Sequence, residues 1–167
     1  VRILHQEGYG QNLNVTVAGG DIFDEGGYQK EITSLSEELT EIIHLTGHVD
    51  DVAPLLAIND VLVSCSLTPE PFGQVVIQGL AAGLPVIATN QGGPREILSG
   101  TGAGILVSPG DPVQLAIELK ELILKPELVG QMAGRARLLA DSFSDQHLVE
   151  QFDESLRALV GEIKKDK

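Results

Sequence analysis

Residues 60–89 read DVLVSCSLTPEPFGQVVIQGLAAGLPVIAT, and this run decides the fold. Residues 60–64 form a short apolar stretch, and residues 85–89 form another. Short Val- and Ile-rich runs bounded by Gly, Pro or Asp read as strands. Between them lie a polar loop with two prolines and a helical stretch over residues 73–82. That stretch is apolar almost all round, which predicts a buried helix. Strands that alternate with helices and are themselves nearly continuously apolar predict a parallel sheet covered on both faces.

The same alternation extends outward. Residues 13–18 and 42–46 read as earlier strands, and residues 104–107 as a later one. Helical patterns occupy residues 28–39, 51–58, 113–124, 128–140 and 145–163. Asp111 and Pro112 precede one of these, where Asp suits an N-cap and Pro the first turn. Residues 1–5 read as a short strand or the tail of a helix. Too few residues separate them from the first clear strand for a parallel crossover. The expected architecture is α/β with a doubly wound parallel sheet. Its domain would span residues 1–144, with a C-terminal helix over residues 145–167 packing on it or crossing from it. The last four residues, 164–167, are expected to fray.

Composition narrows the function. The chain has 167 residues, 43% hydrophobic and 21% charged, with 19 Gly and no Trp. That length is enough to bury roughly 70% of the unfolded surface in one domain. The net charge of −13 argues against a nucleic-acid partner, which calls for a basic face. It also argues against binding anionic lipid, so membrane contact is not indicated. Phosphate remains an eligible ligand, because backbone N–H groups at a helix start bind it with few cations. Cys65 is the single cysteine, so an internal disulfide is impossible and a reducing, cytoplasmic location is the simplest expectation. No leader and no apolar run of about 18 residues is expected.

In open α/β sheets ligands bind beyond the carboxyl ends of the strands. Four loops qualify here: residues 19–27, 47–50, 65–72 and 90–96. The third is the most informative. Glu70 sits between Pro69 and Pro71, and Gly73 follows where a ligand could approach the backbone. The N–H groups near Phe72, Gly73, Gln74 and Val75 open a helix and have no internal partners. They are natural donors to a phosphate or sugar oxygen. By residue type alone, Glu70 serves equally well as a capping carboxylate for its own helix. Gln78 lies two turns past the loop, where an ordinary helix-surface role competes with ligand contact. The loop after residue 89 carries Gly92 and Gly93 ahead of Pro94, Arg95 and Glu96. It reads either as a second set of N–H groups aimed at the crevice or as a plain turn.

Other candidates are weaker. His5, His44, His48 and His147 are scattered, and no spacing fits a metal site. His44 lies inside an apolar strand and reads as a core or edge residue. Cys65 has no paired base in view and reads as inert packing. Gly19-Gly20 and Gly26-Gly27 do not make a dinucleotide fingerprint, and no Walker-type Gly-Lys-Ser/Thr occurs. The acidic runs at residues 21–25 and 37–38 read as solvated faces.

An ordered set of motifs carries a resemblance. Glu70-Pro-Phe-Gly, Leu80-Ala-Ala-Gly-Leu-Pro-Val-Ile-Ala-Thr, Gly92-Gly-Pro-Arg-Glu, Gly104-Ile-Leu-Val and Pro109-Gly-Asp-Pro follow one another. Val15-Thr-Val-Ala-Gly-Gly and Leu45-Thr-Gly-His-Val precede them. Together they resemble the C-terminal, donor-binding domain of GT-B glycosyltransferases of the retaining family 4 type, over nearly the whole chain. The resemblance implies a Rossmann-like fold and transfer of a sugar from a nucleotide-diphosphate sugar to an acceptor, a saccharide or lipid-linked glycan, without a cofactor or bound metal. It assigns Glu70 to the catalytic site, in contact with donor-sugar hydroxyls. It places Phe72, Gly73 and Gln74, with Val75 beside them, on the sugar and distal phosphate, Gly19 and Gly20 near the phosphates, and His48 and Val49 at the base. The family's second glutamate, which grips the ribose, falls on Gln78. Glutamine can still bond a ribose hydroxyl, without charge assistance.

The family's domain begins with a strand bearing a Gly-Arg pair and then a Lys, and that strand lies mid-sheet. No such run precedes Val1, so the sheet is expected to lack its first strand. The resemblance therefore implies a fragment, inactive in transfer by itself. Its partners would be a nucleotide sugar and an N-terminal acceptor domain or companion fragment, with another chain or segment supplying the central strand. The acceptor domain could place the protein at the inner face of a membrane. A non-catalytic nucleotide-sugar-binding module is the alternative favoured by Gln78. An epimerase of the same fold is a further one, less expected given the Glu70-Pro-Phe-Gly loop.

Overall fold

The computed structural model describes residues 1–20 and 27–165. The acidic run at residues 21–25 and the end of the expected frayed tail, residues 166–167, lie outside them. The chain forms two compact units. One comprises residues 1–55 and 111–126, the other residues 56–110 and 127–167.

The first unit holds strands β1 (Val15–Ala18) and β2 (Ile43–Gly47), paired in parallel with Val15 opposite Ile43 and Ala18 opposite Gly47. Helix α1 (Arg2–Gln6) resolves the ambiguous N-terminal segment as helical. Helix α2 (Gly27–Ser36) ends in a 3-10 turn over Glu37–Leu39, and helix α3 (Ala53–Ala57) is short. Helix α6 (Pro112–Leu124) starts where the sequence expects it. The Asp111 carboxylate accepts from the N–H groups of Val113 at 3.1 Å and Gln114 at 2.8 Å, satisfying two of the helix's orphan donors.

The second unit holds β3 (Leu62–Ser64), β4 (Val86–Thr89) and β5 (Gly104–Val107), all parallel, with β4 central. All four residues of β4 are buried, which is why its sequence is apolar without alternation. Val76 and Leu80 of helix α4 (Gln74–Ala81) pack with Val86, Ala88, Ile97 and Leu98 to make the core. Helix α5 (Gly92–Leu98) follows β4. Helices α7 (Pro126–Asp141) and α8 (Asp145–Lys165) close the chain.

The α/β class with parallel strands is the one the sequence predicts. Two local expectations change. Helix α4 is not buried all round: Val76, Gly79 and Leu80 are buried, whereas Gln74, Val75 and Ala81 face solvent. The apolar run marks one packed face plus small or aliphatic residues on an open one. The strands also form two sheets, β1-β2 and β3-β4-β5, with no ladder joining them among the described residues.

Gly79 fixes how α4 sits on its sheet. A Cβ there would collide with the Leu62 side chain and crowd Val86. The missing side chain lets the helix approach β3 and β4 closely.

Candidate functional site

The loop between β3 and α4 owes its shape to backbone chemistry. β3 ends at Ser64, and nine residues later Gly73 adopts φ 76°, in the left-handed region, as the residue before the helix. Glycine occupies this conformation without the Cβ penalty. A Cβ at Gly73 would also press on Pro94 at 3.1 Å. The first intrahelical bond runs from Ile77 N–H to the Gly73 carbonyl, 3.2 Å. The N–H groups of Gln74, Val75 and Val76 therefore open the helix without intrahelical acceptors. No side chain caps them.

Glu70 is not the helix cap that its residue type allows. Instead Glu70 Oε1 accepts a hydrogen bond from the Ser66 hydroxyl, within the same loop. Gln91 Nε2 in turn donates to the Ser66 carbonyl at 2.9 Å. The Gly93 N–H donates to the Glu70 carbonyl at 2.8 Å. Gly92 and Gly93 are required at this junction: a Cβ on Gly92 would strike the Glu70 carbonyl, and one on Gly93 the Phe72 carbonyl.

The Gly93 N–H fits neither of the two readings of this loop. The Gly93 N–H does not face a crevice. It is engaged by Glu70, and the double glycine serves as a backbone clamp on the Glu70 loop.

The remaining candidates fall into two groups. In the second unit, Phe72, Gln74 and Val75 are exposed, Gly73 is buried, and Gln78 is half-buried one helical turn after Gln74. A cleft of about 200 Å³ lies beside Pro71, Phe72, Ile77, Gly93, Glu96, Ile97 and Phe143. It is smaller than the 300–1,000 Å³ typical of ligand pockets. In the first unit, Gly19 at φ 138° follows β1, and its N–H donates to the Gly47 carbonyl at 2.8 Å. Gly20 lies against His48, 3.4 Å from a Gly20 Cβ position to the His48 nitrogen. His48 Nε2 and Asp50 Oδ1 are 3.2 Å apart, and Val49 is half-buried. The structure therefore brings Gly19, Gly20, His48 and Val49 into one loop pair. It brings Glu70, Phe72, Gly73, Gln74, Val75 and Gln78 into another.

His44 is exposed on β2, which among the described residues pairs with β1 alone, so it is an edge residue there. Cys65 is exposed rather than packed as expected, and the burial it does have pushes the thiol pKa up, opposite to what a nucleophile requires. Among the described residues no three His, Cys, Asp or Glu side chains cluster as metal ligands. No described helix is long and apolar enough to cross a membrane.

Ser66 and Gln91 were not legible as site residues. Their only sequence signal is position: Ser66 stands four residues before Glu70, and Gln91 is a polar residue at the carboxyl end of a buried strand.

Comparison with known proteins adds the following. The family described as glycosyl transferases group 1 matches residues 2–139. The chain is 33% identical over 108 residues to N-acetyl-alpha-D-glucosaminyl L-malate synthase of Bacillus anthracis, covering 64% of this chain and 28% of that protein. It is 29% identical over 111 residues to the lipopolysaccharide core biosynthesis glycosyltransferase LpsE of Rhizobium meliloti (strain 1021), covering 66% and 32%. It spans about a third of the length of these relatives. Among solved structures, Anabaena Alr3699/HepE in complex with UDP superposes with a TM-score of 0.82 at 26% identity, over 91% of this chain and 43% of that one. The same protein has also been solved with UDP-glucose.

Proposed function

The chain belongs to the glycosyl transferases group 1 family, and from that premise we propose that it is the donor-binding, C-terminal part of a retaining, family 4-type GT-B glycosyltransferase. The observation that carries this reading is the Glu70 loop. Its carboxylate is held by Ser66 rather than spent on a helix cap, and it stands just ahead of three uncapped N–H groups. A carboxylate can accept from sugar hydroxyls. A helix N-terminus stabilises phosphate charge. The pair suits a glycosyl diphosphate. The binding of UDP and UDP-glucose by Alr3699/HepE supports a nucleotide sugar as the ligand.

In this reading the bond from the sugar's anomeric carbon to the diphosphate oxygen breaks, the nucleoside diphosphate leaves with the electron pair, and positive charge grows on the sugar ring. The N–H groups of Gln74, Val75 and Val76 receive the growing phosphate charge. Glu70 orients the sugar through its hydroxyls. Gln78 contacts the ribose, and the Gly19-Gly20 and His48-Val49 loops serve the phosphates and base. Preorganised dipoles and positioning carry such catalysis. The acceptor site, and the remainder of the sheet, would come from an N-terminal domain or companion segment. The transferred group would be a hexose, and the product a polysaccharide or glycolipid.

Calorimetric titration of the complete protein with UDP-, GDP- and ADP-sugars tests this. One of them should bind, and Glu70→Ala should weaken it. Failure of all three at millimolar concentration would exclude a donor site. A second reading, a module that binds nucleotide sugars without transferring them, draws on Gln78 standing where the family has a glutamate. Sugar transfer by the complete protein separates the two.

A further inference from the structure

We propose that Ser66 and Gln91 are positioning residues that fix Glu70 for the donor sugar. The inference rests on the reading of Glu70 as the donor-sugar contact and extends it. Two hydrogen bonds reach Glu70 directly, and a third holds the serine that makes one of them. Ser66 Oγ donates to Glu70 Oε1. Gln91 Nε2 donates to the Ser66 carbonyl at 2.9 Å, tying the loop after β3 to the loop after β4. Gly93 N–H donates to the Glu70 carbonyl at 2.8 Å. The backbone of Glu70 is thereby pinned by the start of α5, and its carboxylate by a serine that is itself pinned.

The consequence is directional. A glutamate has three side-chain torsions, and a free one would have to be ordered when sugar binds. Here one carboxylate oxygen is already occupied by a neutral hydroxyl donor, which leaves Oε2 as acceptor for a sugar hydroxyl. The ordering precedes the ligand, so affinity that would be lost to immobilisation is retained. Ser66 acts through Glu70, and Gln91 acts through Ser66. Neither needs to touch the ligand. Ser66 and Gln91 bond none of the groups assigned to the phosphates, ribose or base, so the effect should fall on the sugar.

The test compares each nucleotide sugar with its bare nucleoside diphosphate. UDP-glucose, GDP-mannose and ADP-glucose are titrated into the complete protein, and the tightest is carried forward with its diphosphate. Ser66→Ala should weaken the sugar nucleotide by about 5–10-fold, as expected when one side chain has to be ordered on binding, and leave the diphosphate within about twofold. Ser66→Thr, which keeps the hydroxyl, should restore the affinity. Gln91→Ala should act in the same direction as Ser66→Ala. In a Glu70→Ala background, Ser66→Ala should have no further effect, because residues acting through one another are not additive. Equal weakening of sugar nucleotide and diphosphate by Ser66→Ala, or no change in either while Glu70→Ala remains damaging, would overturn the positioning role alone. If none of the three sugars binds, or if Glu70→Ala changes nothing, the donor reading itself falls and the positioning role with it.

Discussion

The N–H of Gly93 donates a 2.8 Å hydrogen bond to the carbonyl of Glu70, so the start of one helix clamps the loop that feeds another. Gly93 can do this because its missing side chain leaves room for the Phe72 carbonyl. Gly93→Ala should push the Glu70 loop away, at a cost of about 1–3 kcal/mol in stability for overpacking. It should also weaken nucleotide-sugar binding more than the drop in stability alone would produce. Chemical denaturation and calorimetry on the same variant check both.

Gly79 makes a purely structural counterpart. Its Cβ position is filled by Leu62 of β3, so Gly79→Ala should destabilise the second unit by a similar amount, about 1–3 kcal/mol. Ligand affinity, measured well below the denaturation midpoint, should stay near that of the parent. The contrast between Gly79→Ala and Gly93→Ala separates packing from loop placement.

At α6, Asp111 accepts from two N–H groups of the first turn. Asp111→Ala should lower stability by about 1 kcal/mol, and Asp111→Asn by much less, since asparagine caps nearly as well. A urea denaturation series on the three proteins would check this, with an equal loss for both variants pointing to charge rather than the hydrogen bonds.

Much of this was legible in the sequence, and for identifiable reasons. The β4 run PVIAT is buried on both faces, so its unbroken apolar character announced a parallel strand covered on both sides. Asp111-Pro112 announced a helix start because capping chemistry is local. The double glycine at 92–93 was visible, but its role was not. Whether an N–H faces solvent or a neighbouring carbonyl depends on a loop more than twenty residues away. Ser66 was hidden for the same reason: a serine in a polar loop is unremarkable until its hydroxyl meets Glu70. The open face of α4 was misjudged because small and aliphatic residues such as Val75 and Ala81 look apolar whether or not they are covered.

Gln78 offers a gain rather than a loss. A ribose hydroxyl donating to a carboxylate forms a stronger bond than one donating to an amide. Gln78→Glu should therefore tighten both the nucleotide sugar and its diphosphate, by about 5-fold if the difference is about 1 kcal/mol. Unchanged affinity in calorimetry would remove Gln78 from the ribose site.

The central claim is that the uncapped start of α4 receives the donor's charge. Amide hydrogen exchange on the complete protein, with and without saturating nucleotide sugar, tests it most directly. The amides of Gln74, Val75 and Val76 should gain protection on binding, and Glu70→Ala should raise the nucleotide-sugar concentration needed to reach it. Tight binding of the nucleotide sugar with those three amides exchanging as fast as before would contradict it.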